Sequence, residues 1–375
     1  EFIEREQKSA ERDALTTEEK VALALDAEKA TEKLIAARRR KTIKSICKKY
    51  GFKNLIHAPR DLVKATPGLG KTRTAISTIL DSELERVLFY TPTTALAEEL
   101  AAAYPGQVKA IKGRCESNCS QYLSCQLAGE RGIPVFNTFC KLEFEDGRET
   151  IKCLDYERCG YLAQFSDVPE KIIALSHEYL RLDNGLLRNL GPFDLHVIDE
   201  SIISVVTGTI NFQPAMLPVD FRDLQQGDNV LEQAKARGWT KDDVAGYRDM
   251  CFSEMQRDLL SASRGMYPGI SSAKVLEKLK ADTTGATHRW RFSSVLARQW
   301  DLPKGAEAIR IGTKPVAVDG KTELQTRVFV SFKRELAGLR EGEPVLLLDA
   351  DGDIEVNRAL VSERMQEHVI EAARN

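Results

Sequence analysis

Two short stretches of this chain carry residue types that can do phosphate chemistry. The first is Lys64-Ala65-Thr66-Pro67-Gly68-Leu69-Gly70-Lys71-Thr72. Gly68 and Gly70 let the backbone turn tightly, with no side chain between its N–H groups and an anion. Lys71 can reach the outer phosphates of a nucleoside triphosphate, and Thr72 offers a hydroxyl to Mg²⁺. The pattern is that of a phosphate-binding P-loop, with Ala65 in place of the first glycine. Thr66, Pro67, Gly68, Leu69, Gly70, Lys71 and Thr72 are therefore the expected contacts of ATP and its Mg²⁺. The second stretch, Phe193-Asp194-Leu195-His196-Val197-Ile198-Asp199-Glu200, reads as a buried strand that ends in two carboxylates. Asp199 would hold the Mg²⁺ with Thr72, and Glu200 would orient or deprotonate the attacking water. Lys71, Asp199 and Glu200 form the expected catalytic set. Taken singly, the two motifs also read as a surface turn and a solvated acidic pair.

That chemistry needs elements that bring the two stretches together. Asp61 to Ala65 reads as a strand and Lys71 to Leu80 as a helix, whose positive dipole end points at the turn between them. Carboxylates face such a turn when they stand at the carboxyl edge of a parallel sheet. Arg86 to Thr91 reads as a buried strand, Ala95 to Tyr104 as a helix, and Gln107 to Lys112 as a further strand. Lys171 to Ser176 resumes as a strand, Leu180 to Leu190 as a helix, and Pro344 to Asp349 is another buried strand. This alternation implies an α/β fold, a parallel sheet with helices on both faces. Residues 207 to 305 read as mostly helical and polar. Val328, Phe329, Phe332, Leu336 and Leu339 suggest a helix over Gln325 to Arg340. Ile354 to Asn375 reads as a final amphipathic helix.

Residues 1 to 52 read as a helical segment, with Thr16 and Glu19 as a capping box and Gly51 as its stop. It ends in a basic run that includes Arg38, Arg39, Arg40, Lys41 and Lys44. Contact with a nucleic-acid phosphate backbone is one reading, and a solvated helix face is the other. With a net charge of −2, any such contact has to come from a local patch.

Six of the eight cysteines fall between Cys115 and Cys159. Thiolates that converge can hold Zn²⁺ or an iron–sulfur cluster, and a glycine-containing segment with few apolar runs would gain from such a staple. Cys125, Cys140, Cys153 and Cys159 form one ligand set; Cys115 and Cys119, spaced C-x3-C, are rivals for two of its places. The wide spacings favour iron–sulfur, with Zn²⁺ as the alternative. Free buried thiols are the plain reading, and Cys47 and Cys251 read as packing residues. Eight cysteines beside an ATPase pattern argue for the cytoplasm and against a disulfide framework. No apolar run is long enough to span a bilayer.

In order and in motifs the chain resembles the superfamily 2 helicases that carry an iron–sulfur cluster within their first motor domain. After Ala65 to Thr72 comes Tyr90-Thr91-Pro92-Thr93, similar to that family's DNA-contacting motif. The cysteine module follows, then Ala174-Leu175-Ser176-His177-Glu178-Tyr179-Leu180, then Val197-Ile198-Asp199-Glu200 where the DEAH box would stand. Leu348-Asp349-Ala350-Asp351 is similar to the motif that couples ATP to DNA. The likeness spans roughly residues 60 to 205 and the strand near 345. Ser201 and Asp351 depart from the family pattern, and no Q-x-x-G-R-x-x-R motif follows.

The resemblance implies a RecA-like ATPase domain over 53–206 with a metal-binding insert at 113–165. It also implies a helical accessory insertion at 207–305 and a return to the sheet at 306–375. It implies the first motor lobe of a DNA helicase or translocase of replication or repair, part of a longer protein, with Thr93 on single-stranded or forked DNA; the basic run adds Arg38, Arg39 and Arg40 as candidate contacts. A second RecA-like domain would be its partner, and no membrane is involved. A metal-stabilised ATP switch that binds nucleic acid without unwinding it is the rival.

Overall fold

The computed structural model describes residues 59–65, 70–130, 133–143, 150–182, 185–279, 283–301, 308–318, 321–339 and 343–370. Strands among them are β1 (Arg60–Ala65), β2 (Val87–Thr91), β3 (Val108–Ala110), β4 (Lys141–Leu142), β5 (Ile151–Lys152) and β6 (Ile172–Ser176). They continue with β7 (Leu195–Asp199), β8 (Thr207–Phe212), β9 (Ile309–Val318), β10 (Lys321–Lys333), β11 (Val345–Asp349) and β12 (Gln366–Ile370). The chain divides into two compact units, one of residues 1–113, 164–206 and 334–375, the other of 114–163 and 207–333.

The first unit is built on a seven-stranded sheet in the order β12-β1-β11-β7-β2-β6-β3. Every neighbouring pair in it is parallel. Strands β2, β7 and β11 are buried along their whole length, as expected of continuous apolar runs covered on both faces. One core gathers Val63, Ile76, Phe89, Ile172, Val197 and Leu346 around the helices α1 (Lys71–Leu80) and α2 (Thr94–Ala103). The α/β architecture read from the sequence is the one observed. Register pairs Lys64 with Asp349 and Leu348 with Asp199, so β1, β11 and β7 end together at one edge.

Four elements differ from expectation. Leu180 to Leu190 is not one helix: the 3-10 turn His177–Arg181 ends at an extended Leu182, and a single helical turn, Gly185–Arg188, lies beyond it. Gln325 to Arg340 is not a helix: β10 runs Lys321–Lys333, antiparallel to β8 and β9. Val328 and Val330 are buried while Ser331 is exposed, a period of two that the helical spacing of the larger apolar residues masked. The β-branched and aromatic residues Val328, Phe329, Val330 and Phe332 fit a pleated surface. Thr207–Phe212 is a strand at the head of the segment read as helical.

The final segment forms α8 (Ile354–Leu360), N-capped by Asp353, and then a strand, β12. There β12 pairs in parallel with β1, and tertiary pairing overrides helix propensity.

In the second unit, helices α4 (Val230–Ala236), α5 (Lys241–Ser263) and α7 (Thr283–Gln299) accompany the β8-β10-β9 sheet. Their core includes Phe212, Phe221, Val244, Phe292, Val328 and Val330. A smaller core joins Cys119, Cys125 and Phe139 to Ile270, Val275 and Leu279, through α3 (Tyr122–Glu130) and α6 (Ser272–Leu279). Cys251, on α5 of the second unit, is fully buried, and its thiol is hydrogen-bonded to Tyr247 and Arg289. Arg38, Arg39 and Arg40, with Cys47 and the whole N-terminal segment, lie outside the described residues. No described helix is long and apolar enough to cross a membrane.

Candidate functional site

Four residues of the P-loop pattern separate Ala65, the last residue of β1, from Gly70, which precedes α1. Thr66, Pro67, Gly68 and Leu69 lie outside the described residues. Gly70 precedes α1 with φ 73 and ψ 28, a left-handed conformation that glycine adopts without a Cβ clash. No side chain caps α1 and no acidic residue stands in its first turn, so its positive end faces no competing carboxylate from that turn. Lys71 is buried, and its Nζ donates to the Ala65 carbonyl at 3.3 Å, reaching back to the last residue of β1.

Thr72 ties this turn to β7. Its hydroxyl donates to Asp199 Oδ2 at 2.6 Å. The other oxygen, Oδ1, is buried and has no hydrogen-bond partner among the described residues. Asp199 is only 6% exposed. Burial pushes its carboxyl up to about 6; the charges of Glu200 and Asp349 add to the rise, while the Thr72 hydroxyl and Lys71 oppose it. Asp349, at the end of β11, is also buried, and burial raises its carboxyl above the usual range. Its Oδ1 accepts from the Asp351 N–H at 3.1 Å. Gly352 lies against it: a Cβ there would stand 3.0 Å from Asp349 Cβ and 3.1 Å from Leu62 Cδ1.

Buried polar atoms without a partner are costly and rare. Asp199 Oδ1 beside a threonine hydroxyl is a pair of hard oxygen donors, the kind that Mg²⁺ takes along with phosphate oxygens and water. The residues therefore fit a magnesium–nucleotide complex. Among the described residues no three His, Cys, Asp or Glu side chains gather as a metal site. A site that relies on one or two carboxylates plus phosphates does not need three.

Glu200 is exposed and has φ 69, one of two described non-glycine residues with positive φ. Such strain persists only where surrounding structure imposes it. Here the Glu200 N–H donates to the Leu348 carbonyl at 2.7 Å, and His177 Nε2 meets the Asp199 carbonyl at 2.8 Å. Sequence reading quoted His177 only as part of a resemblance. The signal available was a histidine directly after a buried strand.

Thr93, expected on nucleic acid, is exposed and acts as the N-cap of α2, its hydroxyl accepting from the Leu96 N–H at 3.2 Å.

The thiols of the second unit gather around Arg114. Its guanidinium donates to Cys140 Sγ at 3.4 Å and stacks 4.0 Å from the centre of the Tyr161 ring. Cys119 and Cys125 are hydrogen-bonded to each other; that bond, with help from Arg114, brings the Cys119 thiol down to about 6. Cys140 feels the charges of Cys119 and Cys159. Cys153 joins through its backbone, its N–H donating to the Cys140 carbonyl at 3.0 Å. Cys115 N–H donates to Asn118 Oδ1.

Cys119, a rival in the sequence reading, thus neighbours Cys125 and Cys140. The donor chemistry suits a thiophilic metal. The spacing does not close on one point, since no three donors among the described residues share an ion position.

No protein-family model and no curated protein matches this chain. Among solved structures it is similar to one described as "Truncated XPD", over 84% of this chain and 96% of that one, with 12% identity and a TM-score of 0.34. A likeness at that level assigns neither family nor activity.

Proposed function

We propose that this chain binds ATP with Mg²⁺ and hydrolyses it as a motor lobe of a DNA helicase or translocase. One observation carries the reading: the Thr72 hydroxyl of α1 meets Asp199 Oδ2 of β7 at 2.6 Å and leaves a buried carboxylate oxygen without a hydrogen bond among the described residues. The N-terminal end of α1 and the backbone near Gly70 would receive the phosphates. Lys71 would leave the Ala65 carbonyl for the outer phosphate oxygens. Thr72 and Asp199 would hold the Mg²⁺, which would neutralise phosphate charge and orient the reacting group. Glu200, exposed at the same edge, would take a proton from the attacking water.

An arginine from a partner RecA-like domain would complete the charge stabilisation. DNA is the proposed partner, with Thr93 and the Arg38–Arg40 run as its contacts on this chain. The cysteine module is proposed to hold an iron–sulfur cluster, or Zn²⁺ as the alternative, on Cys125, Cys140, Cys153 and Cys159, which the metal would have to draw together because no three donors among the described residues share an ion position. Support for that is the donor chemistry of the Cys119, Cys125 and Cys140 neighbourhood.

The test is ATP turnover by the full chain with and without single-stranded and forked DNA. Mg²⁺-dependent hydrolysis accelerated by DNA supports the motor reading. DNA binding with hydrolysis that DNA leaves unchanged points to the switch. Failure to bind magnesium–ATP at millimolar concentration overturns both.

A further inference from the structure

The peptide group between Asp199 and Glu200 is gripped from both sides. Its carbonyl oxygen lies 2.8 Å from His177 Nε2. Its N–H donates to the Leu348 carbonyl at 2.7 Å. A carbonyl oxygen brings no proton, so Nε2 carries it and His177 is the donor. The two grips come from different strands: Leu348 lies in β11, beside β7, while His177 follows β6, two places away on the other side. The imidazole therefore reaches past the end of β2, where the Tyr90 carbonyl also acts on it.

Holding both ends of a peptide plane fixes the two dihedrals that flank it, ψ of Asp199 and φ of Glu200. Glu200 is the residue with φ 69, which a glutamate does not adopt without constraint. His177 is 3% exposed and has one N–H, on Nε2, to give at this contact. It gives that N–H to the carbonyl of the residue that Thr72 bonds. The turn that presents it, His177–Arg181, is itself anchored. Leu180 O accepts from the Gly338 N–H at 2.9 Å, and a Cβ at Gly338 would stand 2.5 Å from Tyr179 O.

We propose that His177 is a positioning residue: it holds the Asp199–Glu200 peptide plane and thereby aims the Glu200 carboxylate at the attacking water. This rests on the reading of Asp199 and Glu200 given above. Loss of the bond lets the plane rotate and Glu200 relax toward ordinary backbone, while Lys71, Thr72 and the nucleotide contacts stay in place. A group displaced by an ångström or so costs up to about a hundredfold in rate.

The experiment compares the full-length wild-type chain with His177→Ala and His177→Gln, whose amide can offer an N–H at a similar reach. Two readouts are taken on each: hydrogen exchange of the backbone amide of Glu200, and ATP affinity with turnover. Expected for His177→Ala are exchange at Glu200 faster by roughly tenfold or more, turnover down by about ten- to a hundredfold, and nucleotide affinity within about threefold of wild type. His177→Gln should recover most of both losses. Wild-type exchange at Glu200 in His177→Ala overturns the proposal. So does a uniform loss of protection, affinity and turnover that glutamine fails to restore, because that is a merely structural histidine. If the wild type hydrolyses no ATP, the ATPase reading falls, and the exchange comparison still decides whether His177 grips this peptide.

Discussion

The carboxyl edge of the parallel sheet and the cysteine neighbourhood of the second unit both gather polar side chains, by opposite means. At the sheet edge, regular elements do the placing. Register between β1, β11 and β7 sets Asp349 and Asp199 level with the end of β1, and α1 delivers Thr72 to 2.6 Å from Asp199. Around Arg114 the supports are short: Cys125 lies in the nine-residue helix α3, Cys140 and Cys153 flank the two-residue strands β4 and β5, and one guanidinium reaches Cys140. A hydrogen-bonded ladder fixes position before any ligand arrives. A set of thiols on loops needs something to hold it, and here an arginine supplies part of that role. Oxygen donors at the first region would suit a hard cation with phosphates, and thiols at the second would suit softer chemistry.

The largest effect should come from the sheet edge. Glu200→Gln is expected to bind ATP normally and to turn over about a hundred- to ten-thousandfold more slowly, as loss of a general base does. Single-turnover kinetics beside equilibrium binding would separate the two, and wild-type turnover would move the base elsewhere.

Lys71→Ala should weaken ATP binding by roughly a hundredfold, since it removes a buried charge-assisted contact. A fluorescent-nucleotide titration checks it; unchanged affinity would sink the P-loop assignment.

The third prediction concerns pH. The Asp199 carboxyl in the folded chain, at about 6, lies above its ordinary value of 3.8. The penalty for holding it ionised is therefore absent at low pH, grows between those two values, and is complete above pH 6. It amounts to about 3 kcal/mol as an order of magnitude. Asp199→Asn keeps an acceptor for Thr72 and removes the charge. It should stabilise the metal-free protein above pH 6, by up to that amount, with little gain near pH 4. It should also abolish stabilisation by Mg²⁺. Urea unfolding at both pH values, with and without Mg²⁺, reads this out, and equal stability at high pH would contradict the burial argument.

The smallest effect belongs to the thiols. Anaerobic reconstitution with iron and sulfide, or addition of Zn²⁺, should slow tryptic cleavage within residues 115–163 several-fold. Cys119→Ser should lose more of that protection than Cys153→Ser, because the Cys119 thiol meets the Cys125 thiol, whereas the described hydrogen bond of Cys153 in this cluster is a backbone one to Cys140. The reverse order would restore the ligand set read from spacing alone.

Much of this was legible in the order of residues. The P-loop pattern ending at Lys71 and the acidic pair after a buried run each admit a bland reading when taken singly, and their order within the β–α alternation is what points to phosphate chemistry. Local chemistry could not show that Gln325 to Lys333 pairs as a strand, because its larger apolar residues fit two periodicities and only its partners β8 and β9 choose between them. It could not show that Gln366–Ile370 becomes an edge strand on β1, since the polar stretch packs on nothing nearby in sequence.

By itself the sequence determined which groups are available: two glycines and a lysine before a helix, a threonine hydroxyl, two adjacent carboxylates, and a crowd of thiols. Tertiary structure alone decided which of them meet. Thr72 and Asp199 are 127 residues apart and His177 lies 22 residues from the peptide it holds. Contacts at such separations depend on strand order and register, and no local propensity encodes those. They are settled only when the whole sheet buries its faces at once.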